Sequence, residues 1–178
     1  MNQDNWNATS FTTGANAGGY TLTGATFSFA AASNSPSNFE ARIYDDNSGE
    51  PGNSLGALTG DLPLTAGNHA FSTTGISLSA NTTYFVVATS TDTGINRFRQ
   101  NLTASGTETS SDGWTIGNQA HVLTEDQGAS WQNEGGQSLM FSISATPVPE
   151  PHEYAMFVGL GLMGFVAARR HLVSKALS

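Results

Sequence analysis

The chain has 178 residues, enough for one domain with a core but hardly for two, and only 11% of them are charged. A surface of helices would carry many Lys, Glu and Arg, yet the single Lys is Lys175 and Ser, Thr, Asn and Gly recur throughout, so a helical body is excluded. The formal net charge is −8, and residues 1–146 hold twelve acidic side chains against three arginines (Arg42, Arg97, Arg99), which leaves no electrostatic footprint for a nucleic acid.

Taken in chain order, the body reads as short strands between polar turns. Ten Phe, three Trp and four Tyr fall in alternating runs, the pattern of core-forming strands rather than of a disordered linker. The run from Tyr20 to Phe29 alternates apolar and polar with one slip at Gly24, which predicts a β-bulge. Residues 39–44 alternate again, with Phe39, Ala41 and Ile43 on one face, and 45–52 (Asp-Asp-Asn-Ser-Gly-Glu-Pro-Gly) form a concentrated turn. Further strands are predicted at Ala70–Leu78, Thr83–Ser90, Asn96–Leu102, Gly113–Ile116, Ala120–Thr124 and Ser138–Ala145. Eight or so such strands predict an all-β fold, a two-sheet β-sandwich of jelly-roll type over residues 1–146. The absence of Cys decides nothing about compartment.

Composition changes after Ala145. Prolines 147, 149 and 151 predict an extended linker over 147–153. Tyr154–Ala168 then runs for fifteen residues without a charge, including Phe157, Leu160, Leu162 and Phe165, and Arg169-Arg170 follows directly. Fifteen residues of helix span about 22 Å, short of the roughly 30 Å hydrocarbon core, but Tyr154 suits the interface and Leu172-Val173 continue the apolar character. The predicted element over 154–178 is a short C-terminal hydrophobic helix with a basic tail. Positive charge at its end favours keeping that end in the cytoplasm and the body on the far side of the membrane.

Val148-Pro149-Glu150-Pro151, an apolar Gly/Leu-rich stretch and a terminal Arg pair, in that order, resemble the PEP-CTERM sorting signal, with His152 where a small hydroxyl residue is usual. The resemblance implies export from the cytoplasm of a Gram-negative bacterium and transient anchoring in the inner membrane. It further implies processing near Pro-Glu-Pro by an exosortase-type transpeptidase, and residence at the cell surface or in the exopolysaccharide matrix of a biofilm. An exported chain opens with a basic and then an apolar stretch, whereas residues 1–6 are polar, so the expectation is a true start upstream. Within the body, residues 19–23 (Gly-Tyr-Thr-Leu-Thr), the run from Ile43 to Gly52 with Leu55 and Leu58, and residues 78–85 resemble the choice-of-anchor extracellular domains, R type. That resemblance implies a surface β domain without an assigned activity.

Asp45, Asp46 and Asn47 offer oxygens to a cation, yet counting from Asp45 the sixth position is Glu50 and the twelfth Gly56, against the Gly and Glu a calcium loop needs. A capped turn is the preferred reading, and no metal or cofactor is expected. Trp131 and Trp114, with Trp6 or Tyr84, are candidates for a sugar-stacking platform; core packing is the competing role. His69 and His121 stand alone, no zinc-ligand spacing exists and no carboxylate pair stands out, so the chain is not expected to be an enzyme. The expected function is structural or adhesive in extracellular polymer. A carbohydrate-binding module is the alternative, and a secreted hydrolase the remote one.

Overall fold

The computed structural model describes residues 1–104, 110, 113–116, 122–134, 137–150, 163 and 165. Among the described residues thirteen strands follow in chain order: β1 Trp6–Thr12, β2 Tyr20–Ser33, β3 Glu40–Asn47, β4 Glu50–Gly60, β5 Gly67–Leu78, β6 Thr83–Thr89, β7 Arg97–Gln100, β8 Leu102–Thr103, β9 Thr115–Ile116, β10 Val122–Thr124, β11 Gln132–Asn133, β12 Ser138–Leu139 and β13 Phe141–Pro147. The body is all-β and its described pairings are antiparallel.

Eleven strands lie on one hydrogen-bonded network, in the order β11-β10-β1-β6-β3-β4-β5-β2-β13, with β9 also on β1 and β7 also on β2; β8 and β12 pair separately. The turning point is β4. Its residues from Glu50 to Leu58 pair with β3, while Thr59 and Gly60 pair with Ser72 and Phe71 of β5. Both halves contribute to one apolar cluster: Phe11, Ile43, Leu58 and Val86 from one side, and Leu22, Phe27, Phe29, Phe71, Ile76, Leu78 and Phe98 from the other. The two halves of the network part at β4 and line one shared core. Ring contacts knit that core: Phe39 lies edge-to-face with Phe98 at 5.2 Å and Phe27 with Phe71 at 5.7 Å, while Phe39 and Phe71 meet tilted at 5.1 Å.

The predicted slip at Gly24 is present: the register of β2 against β5 shifts between Leu22 and Gly24, and β13 shifts opposite it between Ser144 and Ala145. The predicted turn at 45–52 is a tighter hairpin than its composition suggests, with Asn47 paired to Glu50 and both Ser48 (φ 61°) and Gly49 (φ 93°) left-handed. That is the two-residue turn whose twist matches the flanking strands. Three strands were not foreseen: β1, β4 and the two-residue β11. β1 reads Trp-Asn-Ala-Thr-Ser-Phe-Thr, too polar to announce itself, yet Thr9 and Ser10 are buried because β1 lies between β6 and β10. β4 holds three glycines (Gly52, Gly56, Gly60), which sequence rules count against a strand.

Of the C-terminal expectations, Pro151, Tyr154, Phe157, Leu160, Leu162, Ala168, Arg169 and Arg170 lie outside the described residues. Met163 and Phe165 are helical and exposed. Among the described residues no helix is long and apolar enough to cross a membrane.

Candidate functional site

The expected linker begins at Pro147, but the structure carries strand pairing into it. Pro147 is the last residue of β13, opposite Tyr20, and the Val148 N–H donates to the Gly19 carbonyl at 3.0 Å. The Val148 carbonyl accepts from Asn16 Nδ2 at 2.9 Å, and a Glu150 carboxylate oxygen accepts from the Ala17 N–H at 3.1 Å. The segment Val148–Glu150 thus lies against the β1–β2 loop. Composition marked a boundary there because Pro removes donors; the accepting loop, Asn16–Gly19, carries no signal of its own.

The two tryptophans proposed for sugar stacking lie in different environments. Trp114 stacks on Phe11 (5.9 Å, 8°) and meets the edge of Tyr20 at 4.8 Å, half-buried against the main core. Tyr84 is core as well, 5.9 Å from Phe11, its hydroxyl accepting from the Ser79 N–H at 2.8 Å. Trp131 instead packs with Trp6 and Tyr44 over a second cluster of Ala8, Phe85 and Val87. The reason is the alternation of β6: Tyr84 and Val86 face the main core, so Phe85 and Val87 face the opposite side and need a cover. Trp6, Tyr44 and Trp131 supply it while each keeps partial exposure. Tyr44 was legible from β3, since placing Ala41 and Ile43 inward sends Tyr44 outward. Beside it on β3 lies the Arg42–Glu40 ion pair (2.8 Å), with Arg42 also donating to Ser54 Oγ.

The loop bearing Trp131 is held by Asp126. Its carboxylate accepts from Ser130 Oγ (2.6 Å), Thr124 Oγ1 and the Ser130 N–H (2.9 Å), while Thr124 Oγ1 accepts from the Gly128 N–H at 3.1 Å. These donors, the Ser130 hydroxyl foremost, hold the Asp126 carboxyl down at about 2. Gly128 then passes under the Trp6 ring so closely that a Cβ would stand 2.9 Å from it.

The acidic turn is occupied by its own backbone. Asp46 accepts from the Gly49 N–H at 2.9 Å, and Asp45 accepts from both the backbone and side-chain amides of Asn53. Asn47 is the residue that closes the hairpin. Among the described residues no three His, Cys, Asp or Glu side chains converge as a metal site would require. His69 bonds the Thr65 carbonyl at 2.9 Å and packs edge-on to Phe29; His121 lies outside the described residues.

The carboxylate that sequence reading missed is Asp92, which is 7% exposed. It accepts from the Ser37 N–H and Oγ, the Asn38 N–H and Ser90 Oγ, all within 3.1 Å. Burial pushes its pKa up, but the hydrogen bonds from Asn38, Ser37 and Ser90 outweigh it and hold the carboxyl below its ordinary range. An isolated Asp in the run Ser90-Thr-Asp-Thr-Gly94 reads as loop, and apart from Ser90 its donors, on Ser37 and Asn38, lie more than fifty residues away. The chain matches no family model, no curated protein and no solved structure.

Proposed function

We propose that this chain is an exported surface or exopolysaccharide-matrix protein with a structural or adhesive role. In this reading the body is a two-sheet β-sandwich of jelly-roll type, and a hydrophobic C-terminal helix holds it at the inner membrane until an exosortase-type transpeptidase processes the tail. The observation that carries the reading is the order of elements behind a body nearly devoid of positive charge: Val148-Pro149-Glu150-Pro151, an uncharged apolar stretch, then Arg169-Arg170. The body supports it from another side. Hydroxyl- and amide-rich strands without Lys present many neutral donors and acceptors, which suit hydrated polysaccharide. They also offer trypsin-like proteases only Arg42, Arg97 and Arg99.

The test is fractionation of producer cells with tagged wild-type chain and an Arg169→Ala/Arg170→Ala variant. Wild type is expected at the surface or in the matrix with a shortened C-terminus, and the variant at full length in the membrane fraction. Equal masses and equal fractions for both would sink the sorting reading.

A second reading, a carbohydrate-binding module, is favoured by Trp6, Tyr44 and Trp131 sharing one half-exposed patch. Aromatic faces suit the C–H surface of sugar rings. Saturable retention on the producer's exopolysaccharide, lost in folded Trp131→Ala and kept in folded Trp114→Ala, is the expected outcome. Retention unchanged by Trp131→Ala would remove this reading and leave the structural one.

A further inference from the structure

We propose that Asn16–Gly19 is a latch that binds the segment Val148–Glu150 to the folded body, so that a processing enzyme reaches the chain only beyond Glu150. The inference rests on the proposed processing of the tail and adds what that reading lacks, a determinant of where processing occurs.

The latch is built from both sides. On the body, the loop is fixed in shape: the Gly19 N–H donates to the Asn16 carbonyl at 2.8 Å, the Asn16 N–H donates to the buried Tyr20 hydroxyl at 3.2 Å, and Gly19 is left-handed at φ 73°. Asn16 Nδ2 then bridges the two partners, donating to the Gly19 carbonyl at 2.6 Å and to the Val148 carbonyl at 2.9 Å. Gly18 lies so close beneath that a Cβ there would collide with the Val148 carbonyl oxygen. On the segment, the Val148 N–H points inward to Gly19 and the Glu150 carboxylate reaches the Ala17 N–H.

The proline spacing fits this docking. Hydrogen-bonding direction alternates along an antiparallel strand, so an inward N–H at Val148 puts Pro147 and Pro149 where an N–H would face outward. Their missing donors cost the β2 ladder nothing, and they remove the outward donors at 147 and 149 that an added strand would use. Peptidases and transpeptidases take up substrate as an extended strand through its backbone groups. Here one edge of 147–148 is already bonded to the body and the other lacks donors. The bond that breaks is a peptide bond, its acyl carbon passing to water or to an amine or hydroxyl acceptor and its nitrogen leaving as a protonated amine. The latch determines which such bond can be approached.

The test uses the full chain in detergent micelles, with Gly18→Val and Asn16→Ala variants whose folding is checked by an unchanged urea midpoint. Amide exchange at Val148 is expected to be at least about tenfold slower than in a free peptide of residues 146–152, and to speed up in both variants. A proline-specific endopeptidase is expected to cut after Pro147 at least about tenfold faster in the variants than in wild type. Should Gly18→Val fail to fold, Asn16→Ala and the wild-type exchange rate still decide. Val148 exchange equal to that of the free peptide, or equal cutting in wild type and folded Asn16→Ala, overturns the latch. Mapping the new C-terminus in producer cells separates the two ideas. A chain that keeps its full length refutes the processing reading and leaves the exchange data to judge the latch. A new C-terminus upstream of Glu150 in wild type refutes the latch while processing stands.

Discussion

Asp92→Ala is expected to be among the most destabilising single changes outside the aromatic core. The carboxylate accepts from two backbone N–H groups and two hydroxyls, and it ties the loop ahead of β3 to the segment after β6. A hydrogen bond to a charged group nets about 1.5–3 kcal/mol, so four taken separately would exceed 6 kcal/mol. Ser37 and Asn38 are exposed, however, and water takes over part of their bonding once the acceptor is gone. The expected loss is therefore about 2–4 kcal/mol. Urea unfolding is the assay: with a slope of about 2 kcal/mol/M, the midpoint falls by about 1–2 M. Asp92→Asn is expected to lose about 2 kcal/mol, because its NH₂ group must face donors. The pH dependence has a definite sign. The folded pKa of Asp92 is lowered, so its contribution is fully present above the unfolded carboxylate value near about 3.9 and fades as pH falls through the lower folded value. The gap between wild type and Asp92→Ala should narrow in acid. A variant within about 0.5 kcal/mol of wild type at neutral pH would refute the idea that this carboxylate organises the loop.

Three further outcomes are expected. The Asp126 carboxyl is held at about 2, so its grip on the 124–130 loop persists above the ordinary carboxylate range and is lost as pH falls through that value. Trp131 fluorescence should shift between about pH 4 and pH 2, and Asp126→Asn should already show the acid-like emission at neutral pH. Gly49→Val, with nothing within 4 Å of the new Cβ, tests the left-handed turn alone. It should cost about 1–2 kcal/mol and lower Tm by about 3–6 °C, with Gly49→Asn recovering most of the loss. Trp114→Ala, removing a half-buried ring from Phe11 and Tyr20, should cost about 2–3 kcal/mol in chemical denaturation. A loss below about 0.5 kcal/mol would refute its packing role.

The legible parts of the fold were those written in local periodicity. Alternation placed β2, β3, β5, β6 and β13, and the phase slip at Gly24 located the bulge two strands share. β1 was invisible because its burial comes from strands that arrive seventy or more residues later, which lets Thr9 and Ser10 sit inside without apolar side chains. Strand β4 was hidden by the glycines that let it serve both halves of the sheet. For the sites, aromatic content identified Trp131 and Trp114 but not that β6's two faces would separate them. The turn chemistry of Asp45-Asp46-Asn47 was readable because its partners are within eight residues. Asp92 and the Asn16–Gly19 loop were not, since the Ser37 and Asn38 donors of the one are 54–55 residues away and the partners of the other lie on Val148 and Glu150, more than a hundred residues on.

Pairing β13 with β2 sets a clock on folding. A chain emerging N-terminus first presents β2 early and β5 soon after; on the other edge of β2 the end from Phe29 to Ser33 is met by β7, but Tyr20 to Phe27 wait for Phe141 to Pro147, more than a hundred residues later. Until then the Tyr20–Phe27 part of the strand has an unsatisfied flank, the kind of edge that invites pairing with a neighbouring chain. Long-range closure of this sort is slow, so the body has a vulnerable interval set by how fast its last strand is delivered. If the chain is exported as proposed, that interval ends only when the last residues of the body emerge.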